Sequence, residues 1–267
     1  MHLVDNEEVK SILYSISKEK LLPNFKNLKP DQIKYKNNKD IVTSIDIEIE
    51  NTLKKILPQF IKNSNFVGEE IYLHNPQILN FYNQEQYCWT VDPIDGTSNF
   101  VRGNEKFAIM IALTFGTKII QSWIYKPITE EFMYSAYNQG TFLDNKKIKI
   151  NKFSSISNSI GSVSSKYWQK DIENKIKKLK NFFNNVSSYG SIGCEYFDIA
   201  LGKRDFALLS KLSPWDHLPG ILIVREAGGN DSHFDNMPYI FNQKYENLIV
   251  SNSRELNLEI INKLKEI

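Results

Sequence analysis

The sequence predicts an α+β fold layered αβαβα. Three observations carry that expectation. Apolar residues at helical spacing open the chain, hairpin-linked strand patterns fill its middle, and strand and helix patterns alternate through its last third. Residues 1–150 therefore read as an N-terminal α+β half with helices and an antiparallel sheet, and residues 151–267 as a C-terminal α/β half. No internal repeat and no linker rich in Pro, Gly or Ser divides the chain.

Val9, Ile12, Leu13 and Ile16 mark the first helix, and Ile49, Leu53, Ile56, Leu57 and Phe60 the second, broken near Asn63. Asn65-Phe66-Val67 reads as a short strand entering Gly68-Glu69-Glu70, and Tyr87 to Val91 as another. Phe107 to Phe115 is almost continuously apolar, as a strand covered on both faces must be. Gly116-Thr117 turns it into Ile119 to Tyr125, and Glu131 to Tyr137 follows, ending in the turn Asn138-Gln139-Gly140. The serine-rich segment Ser154 to Ser165 reads as a loop leading into a strand at Ile160 to Val163. Beyond it, helices are expected at Asp171–Phe183, Gly193–Leu201, Trp215–Ala227 and Glu255–Ile267. Strands are expected at Val186–Tyr189, Asp205–Leu209 and Leu248–Val250, and Gly228-Gly229 should close the third of those helices.

Composition narrows the function classes. The 267 residues include 33 basic and 31 acidic side chains, a net charge of +2, with 41% apolar and 24% charged residues. That is an ordinary globular composition, and it argues against holding nucleic acid by bulk charge. Cys88 and Cys194 form no CxxC pair, so a reducing compartment is the default. The acidic start lacks a signal-peptide core, and the longest apolar run, Phe107 to Leu113, is too short to cross a bilayer. These features lead us to expect a cytoplasmic protein with neither membrane nor nucleic-acid partners.

The densest chemical feature is Trp89-Thr90-Val91-Asp92-Pro93-Ile94-Asp95-Gly96-Thr97-Ser98-Asn99-Phe100. An apolar strand is expected to end at Asp92, where Pro93 stops ladder pairing. Asp92 and Asp95 leave one tight turn and can converge on a hard cation such as Mg²⁺, with the Ile94 carbonyl as an extra ligand. The N–H groups of Gly96 and Thr97, at a helix start, can hold an anion. Asp-Pro and Asp-Gly are also common turn dipeptides, so turn chemistry alone is the other reading. Read alone, Glu69-Glu70 is a solvated pair, and Asp40-Ile41-Val42-Thr43-Ser44-Ile45-Asp46 supplies helix caps. Asp216 in Ser213-Pro214-Trp215-Asp216 is either a cap or a carboxylate brought beside the earlier acids.

Together and in this order, Asp40 to Asp46, Gly68 to Glu70, Asp92 to Thr97 and Trp215-Asp216 resemble the inositol monophosphatase family of lithium-sensitive, metal-dependent phosphatases. The resemblance implies the αβαβα sandwich of the inositol monophosphatase and sugar phosphatase type and a homodimer. It also implies Mg²⁺-dependent hydrolysis of a small phosphorylated metabolite, nominally inositol 1-phosphate, with two or three ions per site. By the same likeness Glu69, Asp92 and the Ile94 carbonyl would hold one ion, and Asp92, Asp95 and Asp216 a second. Glu69, Thr97 and Asp46 would be catalytic, aligning the attacking water, with Asp46 pairing with Thr97. Asp95, Gly96, Thr97, Ser98, Gly193, Cys194, Glu195 and Asp216 would border the substrate.

The substrate side departs from the family pattern. The acidic residue expected seven positions before Asp216 is Leu209, and Cys194 and Glu195 stand where small residues are usual. Glu195, Arg204 and Lys211 are thus either solvated or readers of a different leaving group. Histidinol phosphate, fructose 1,6-bisphosphate and 3′-phosphoadenosine 5′-phosphate are the sister substrates, and a regulatory binding role is the reading from another class. The four histidines form no HExxH or HxH pair, and neither G-x-S-x-G nor a Walker A loop is present.

Overall fold

A computed structural model describes residues 2–36, 40–151, 154–241 and 245–267. In chain order the elements are α1 (Asn6–Ile16), β1 (Ile33–Tyr35), β2 (Ile41–Thr43), α2 (Ser44–Ile56), β3 (Asn65–Gly68), α3 (Glu69–His74), β4 (Tyr87–Asp95) and α4 (Thr97–Val101). There follow β5 (Ala108–Phe115), β6 (Lys118–Lys126), β7 (Glu131–Ala136), β8 (Gly140–Leu143), β9 (Lys146–Ile148), β10 (Ile160–Val163), α5 (Lys170–Leu179) and β11 (Asn185–Val186). The chain ends with α6 (Ile192–Ala200), β12 (Phe206–Leu209), α7 (Pro214–Glu226), β13 (Asn230–Ser232), β14 (Leu248–Ser251) and α8 (Arg254–Glu266).

Two large sheets organise these elements. The seven-stranded sheet runs β3-β4-β5-β6-β7-β8-β9, and only its β3–β4 pair is parallel. The five-stranded sheet runs β11-β10-β12-β14-β13. Side-chain alternation assigns the layers. On β5, Ile109, Ile111 and Leu113 pack with Val9, Leu13, Ile49 and Leu53 of α1 and α2. Ala108, Met110 and Ala112 face the other way, toward α6 and α7. On β12, Ala207 and Leu209 join that same middle core, whereas Phe206 and Leu208 meet α5 and α8. The order helices, sheet, helices, sheet, helices is the expected αβαβα sandwich.

Position in the layers explains composition. Helix α5 covers an outer face, so its lysines are solvated while Ile176 and Leu179 are buried. Helix α7 lies between two sheets and is apolar nearly all round, with Leu218, Ile221, Leu222, Ile223 and Val224 buried. It meets α6 so closely that a Cβ on Gly220 would fall 2.1 Å from the Tyr196 ring. Gly220→Ala is therefore expected to destabilise the fold by about 1–3 kcal/mol, read as a lower urea midpoint at unchanged slope.

Several elements differ from expectation. Strand β4 continues through Asp92 to Asp95 instead of ending at Asp92. The strand expected at Val186–Tyr189 shrinks to Asn185–Val186, because the chain turns away to reach α6. The ribbon β1–β2 and the strands β8, β9 and β13 were not foreseen; they are three or four residues long, and β9 begins Lys146-Lys147, so no alternating apolar pattern announces them. No helix among the described residues is long and apolar enough to cross a membrane.

Candidate active site

The site begins with an irregularity in β4. Asp92 pairs with Met110 and Asp95 with Ala108, so three steps on β4 oppose two on β5. This is a β-bulge. In a regular strand residues three apart point to opposite faces. The extra residue returns Asp95 to the face of Asp92, on the side of Met110 and Ala108, toward α6 and α7. Ile94 turns into the opposite core, and Pro93, having no N–H, leaves no ladder donor unpaired. The Ile94 N–H donates to Asp92 Oδ1 at 3.0 Å.

Asp95 ties this strand to the second half. It accepts the N–H groups of Ile192 (3.0 Å) and Gly193 (2.7 Å) at the start of α6, and the Ser191 hydroxyl. Burial raises its pKa to about 6 against the opposing pull of those donors. The chain then turns at Gly96, whose φ is +91°. A Cβ there would meet the Lys106 carbonyl and the Ser191 side chain at 3.0 Å, so both conformation and space require glycine. Thr97 and Ser98 start α4 and are partly exposed, with N–H groups that have no intrahelical acceptor.

Asp46 sits on α2 in two roles. One oxygen accepts from the Thr43 N–H (2.8 Å) and hydroxyl (2.5 Å), closing a capping box. The other lies 3.0 Å from the Thr97 hydroxyl, which also lies 2.9 Å from the Ile94 carbonyl. The single Thr97 proton can serve only one of these acceptors at a time. Burial lifts the Asp46 pKa to about 6, with the Glu69 charge adding to it.

Glu69 and Glu70 open α3, and Lys36 of the β1–β2 ribbon reaches both, at 2.8 Å and 2.6 Å. Burial alone would lower the Lys36 pKa; the two carboxylates more than offset it and raise it. Burial pushes Glu70 up to about 8. Glu50, from α2, accepts the N–H groups of Glu70 and Ile71, both at 2.8 Å, and so fixes where α3 starts.

Asp216 completes the set from the first turn of α7. Burial, then the charges of Glu69 and Asp95, push its pKa up to about 8. Asp92 is held well above the carboxylate range by burial and by Glu69, Asp95 and Asp216. The four carboxylates thus face a common region where their charges oppose one another. This donor set suits a hard divalent cation, all oxygen and over-supplied with negative charge. Among the described residues, however, no group of three or more His, Cys, Asp or Glu side chains stands close enough together to hold a metal ion.

A cleft of about 280 Å³ adjoins Asp216 and is bordered by Ser191, Leu209, Lys211 and Glu195. Leu209 contributes an apolar wall there. Glu195 is not available to a substrate, contrary to expectation. Its Oε1 accepts the Tyr189 N–H at 2.7 Å, and its Oε2 lies 2.6 Å from Arg204 Nε as an ion pair out of line for a hydrogen bond. Arg204 in turn donates to the Ser187 carbonyl and stacks 4.2 Å over Tyr189. The pair therefore clamps the loop before α6. Cys194 offers its backbone N–H to Ser191 while its side chain enters the middle core, because helical spacing turns it away from the cleft. Gly193 stays at the site through its N–H to Asp95.

Sequence reasoning missed Lys36, Glu50, Ser191 and Asn99. Asn99 binds the carbonyls of Lys106 (2.6 Å) and Tyr189 (2.8 Å), bracing the two loops that flank Gly96. Ser191 was legible as an N-cap one residue before a helical pattern; the other three act across sequence gaps that no local pattern bridges.

The sequence profile of the Inositol monophosphatase family matches residues 5–267. An inositol monophosphatase of Dictyostelium discoideum is 31% identical over 215 residues, 78% of this chain and 77% of that protein. A Thermotoga maritima protein named fructose-1,6-bisphosphatase/inositol-1-monophosphatase is 28% identical over 197 residues, 73% and 72% of the two chains. Among solved structures, a Thermotoga maritima IMPase superposes with a TM-score of 0.81 at 24% identity, covering 97% of this chain and 96% of that one.

Proposed function

The chain belongs to the inositol monophosphatase family and is a phosphoric monoester hydrolase, and on that premise we propose that it hydrolyses a small phosphate monoester with two or three Mg²⁺ ions. The observation that carries this reading is the β4 bulge, which turns Asp92 and Asp95 to one face beside Glu69 and Asp216. In this reading Glu69, Asp92 and the Ile94 carbonyl hold one ion, and Asp92, Asp95 and Asp216 another. When bound, the ions supply charge neutralisation at the phosphoryl group and the leaving oxygen.

The chain's own groups do the positioning. The helix-start N–H groups of Gly96, Thr97 and Ser98 receive phosphate oxygens. Asp46 holds the Thr97 hydroxyl, and Thr97 and Glu69 align the attacking water. Asp95, pinned to Ser191 and to α6, keeps its carboxylate fixed as the phosphate arrives, so little reorganisation is needed. Inositol 1-phosphate is the nominal substrate. A sugar bisphosphate stands beside it, because the Thermotoga maritima relative carries both activities in its name. Lithium sensitivity and homodimerisation complete the reading and rest on family membership, and a cytoplasmic location rests on the cysteine usage and the lack of a signal-peptide core. Phosphate release from inositol 1-phosphate and fructose 1,6-bisphosphate, followed with Mg²⁺ and with EDTA, tests it. Release that stops on chelation is expected; no release from either substrate at any Mg²⁺ concentration overturns it.

A further inference from the structure

We propose that the cleft beside Asp216 selects phosphomonoesters whose leaving alcohol carries a second anionic group, and that Lys211 is the cation that reads it. This rests on the phosphatase reading above and narrows its substrate class. The first argument is the inventory of hydrogen-bonding groups. Among the described residues, the cleft is lined by Ser162, Ser164, Ser188 and Ser210, the last of which already donates its hydroxyl to the Lys166 carbonyl at 2.5 Å. Ser164 and Ser188 each accept a backbone N–H, from Ser210 at 3.4 Å and from Gly190 at 3.1 Å, which leaves their hydroxyl protons to donate. Ser162 Oγ is buried and has no partner among the described residues.

Carboxylate acceptors are scarce in the same cleft. Glu195 has one oxygen on Tyr189 and the other on Arg204, Leu209 accepts nothing, and Asp216 belongs to the proposed cation set. A neutral polyol needs acceptors for its hydroxyl protons as well as donors. A wall rich in donors and poor in free carboxylates suits a group made of acceptor oxygens, as a phosphate or carboxylate is.

The second argument is the posture of Lys211. Its backbone is left-handed, at φ +59°, as is that of Tyr167, which also borders the cleft, at +66°. Such conformations in non-glycine residues are strained and persist where the surroundings impose them. His217 holds the Lys211 backbone: its Nε2–H donates to the Lys211 carbonyl at 3.2 Å, while Nδ1 accepts from the Tyr196 hydroxyl at 3.0 Å. Lys211 lines the cleft with its side chain half-exposed and its ammonium 3.8 Å from Asp40 and 5.3 Å from the Tyr167 ring. Both contacts are loose, so an incoming anion can take the ammonium over without breaking a tight pair.

The test uses matched substrates at saturating free Mg²⁺: inositol 1,4-bisphosphate against inositol 1-phosphate, and 2-phosphoglycerate against glycerol 2-phosphate. The wild-type protein is expected to favour the anion-bearing member by about tenfold in kcat/KM, with the preference shrinking as salt rises. Lys211→Met should bring the ratio near one, and Lys211→Arg, which keeps the charge, should retain most of it. A preference in only one pair supports the proposal and tells phosphate from carboxylate. Equal rates in both pairs, or a preference that survives Lys211→Met, overturn the proposal and leave the phosphatase reading standing. Failure to hydrolyse any of the four overturns both.

Discussion

Exchanging Asp92 for asparagine is expected to lower kcat by at least about a thousandfold while the protein stays folded. Asp92 is proposed to touch both cations, and losing an anionic ligand shared between them removes transition-state stabilisation of about 4 kcal/mol. The fold has no matching need for the charge. Asp92 is 2% exposed, and burial and three neighbouring acids hold its carboxyl well above the usual range. Asparagine keeps an acceptor for the Ile94 N–H and can never ionise into a costly buried anion. Melting temperature without divalent ions should therefore hold or rise. Phosphate release and thermal melting on one preparation check both halves; a variant within tenfold of wild type would remove Asp92 from the proposed role.

Stripped of divalent ions, the protein is expected to lose stability as pH rises from about 5 to about 8, with Mg²⁺ restoring most at the upper end. Asp95 titrates near 6 and Glu70 and Asp216 near 8, all above their ordinary values of 3.8 and 4.5, chiefly through burial. A carboxyl whose pKa is raised by folding contributes fully below its unfolded value and loses that contribution as pH climbs through the folded value. A cation bound only by the folded, ionised site reverses the trend. At a concentration one hundred times its dissociation constant it adds about 2.7 kcal/mol. For a chain of this size that is roughly 5–10 °C in melting temperature. Melts in EDTA and in Mg²⁺ at pH 5 and pH 8 measure it, and a melting temperature that climbs with pH in EDTA would sink the idea.

Much of this architecture was readable because burial on two faces writes itself into composition. The nearly continuous apolar run of β5 and the all-round apolar α7 announced interior elements, and both are interior. The short ribbon and edge strands carried no such signature, since each is only three or four residues long and spans barely one pleat. In the site, the acids were legible as residue types at turns and helix starts, and their convergence was legible from family likeness. The bulge was not, because Pro93 read equally well as the end of a strand. Glu195 misled for a related reason: an acid near a cleft looks available until the Arg204 guanidinium, supplied nine positions later by another loop, is found against it.

The single unmatched residue in β4 makes chemical competence a question of parity. Adding one residue to β5 opposite it would give a tidier ladder, and it would also leave the two aspartates three regular steps apart, swinging one carboxylate through the sheet into the layer of α1 and α2. Any redesign that rewards ideal pairing here will tend to give that residue a partner on β5. Sheet perfection and a working reaction centre pull in opposite directions at this spot, so the kink is best treated as a fixed part and the rest of the strand as the adjustable one.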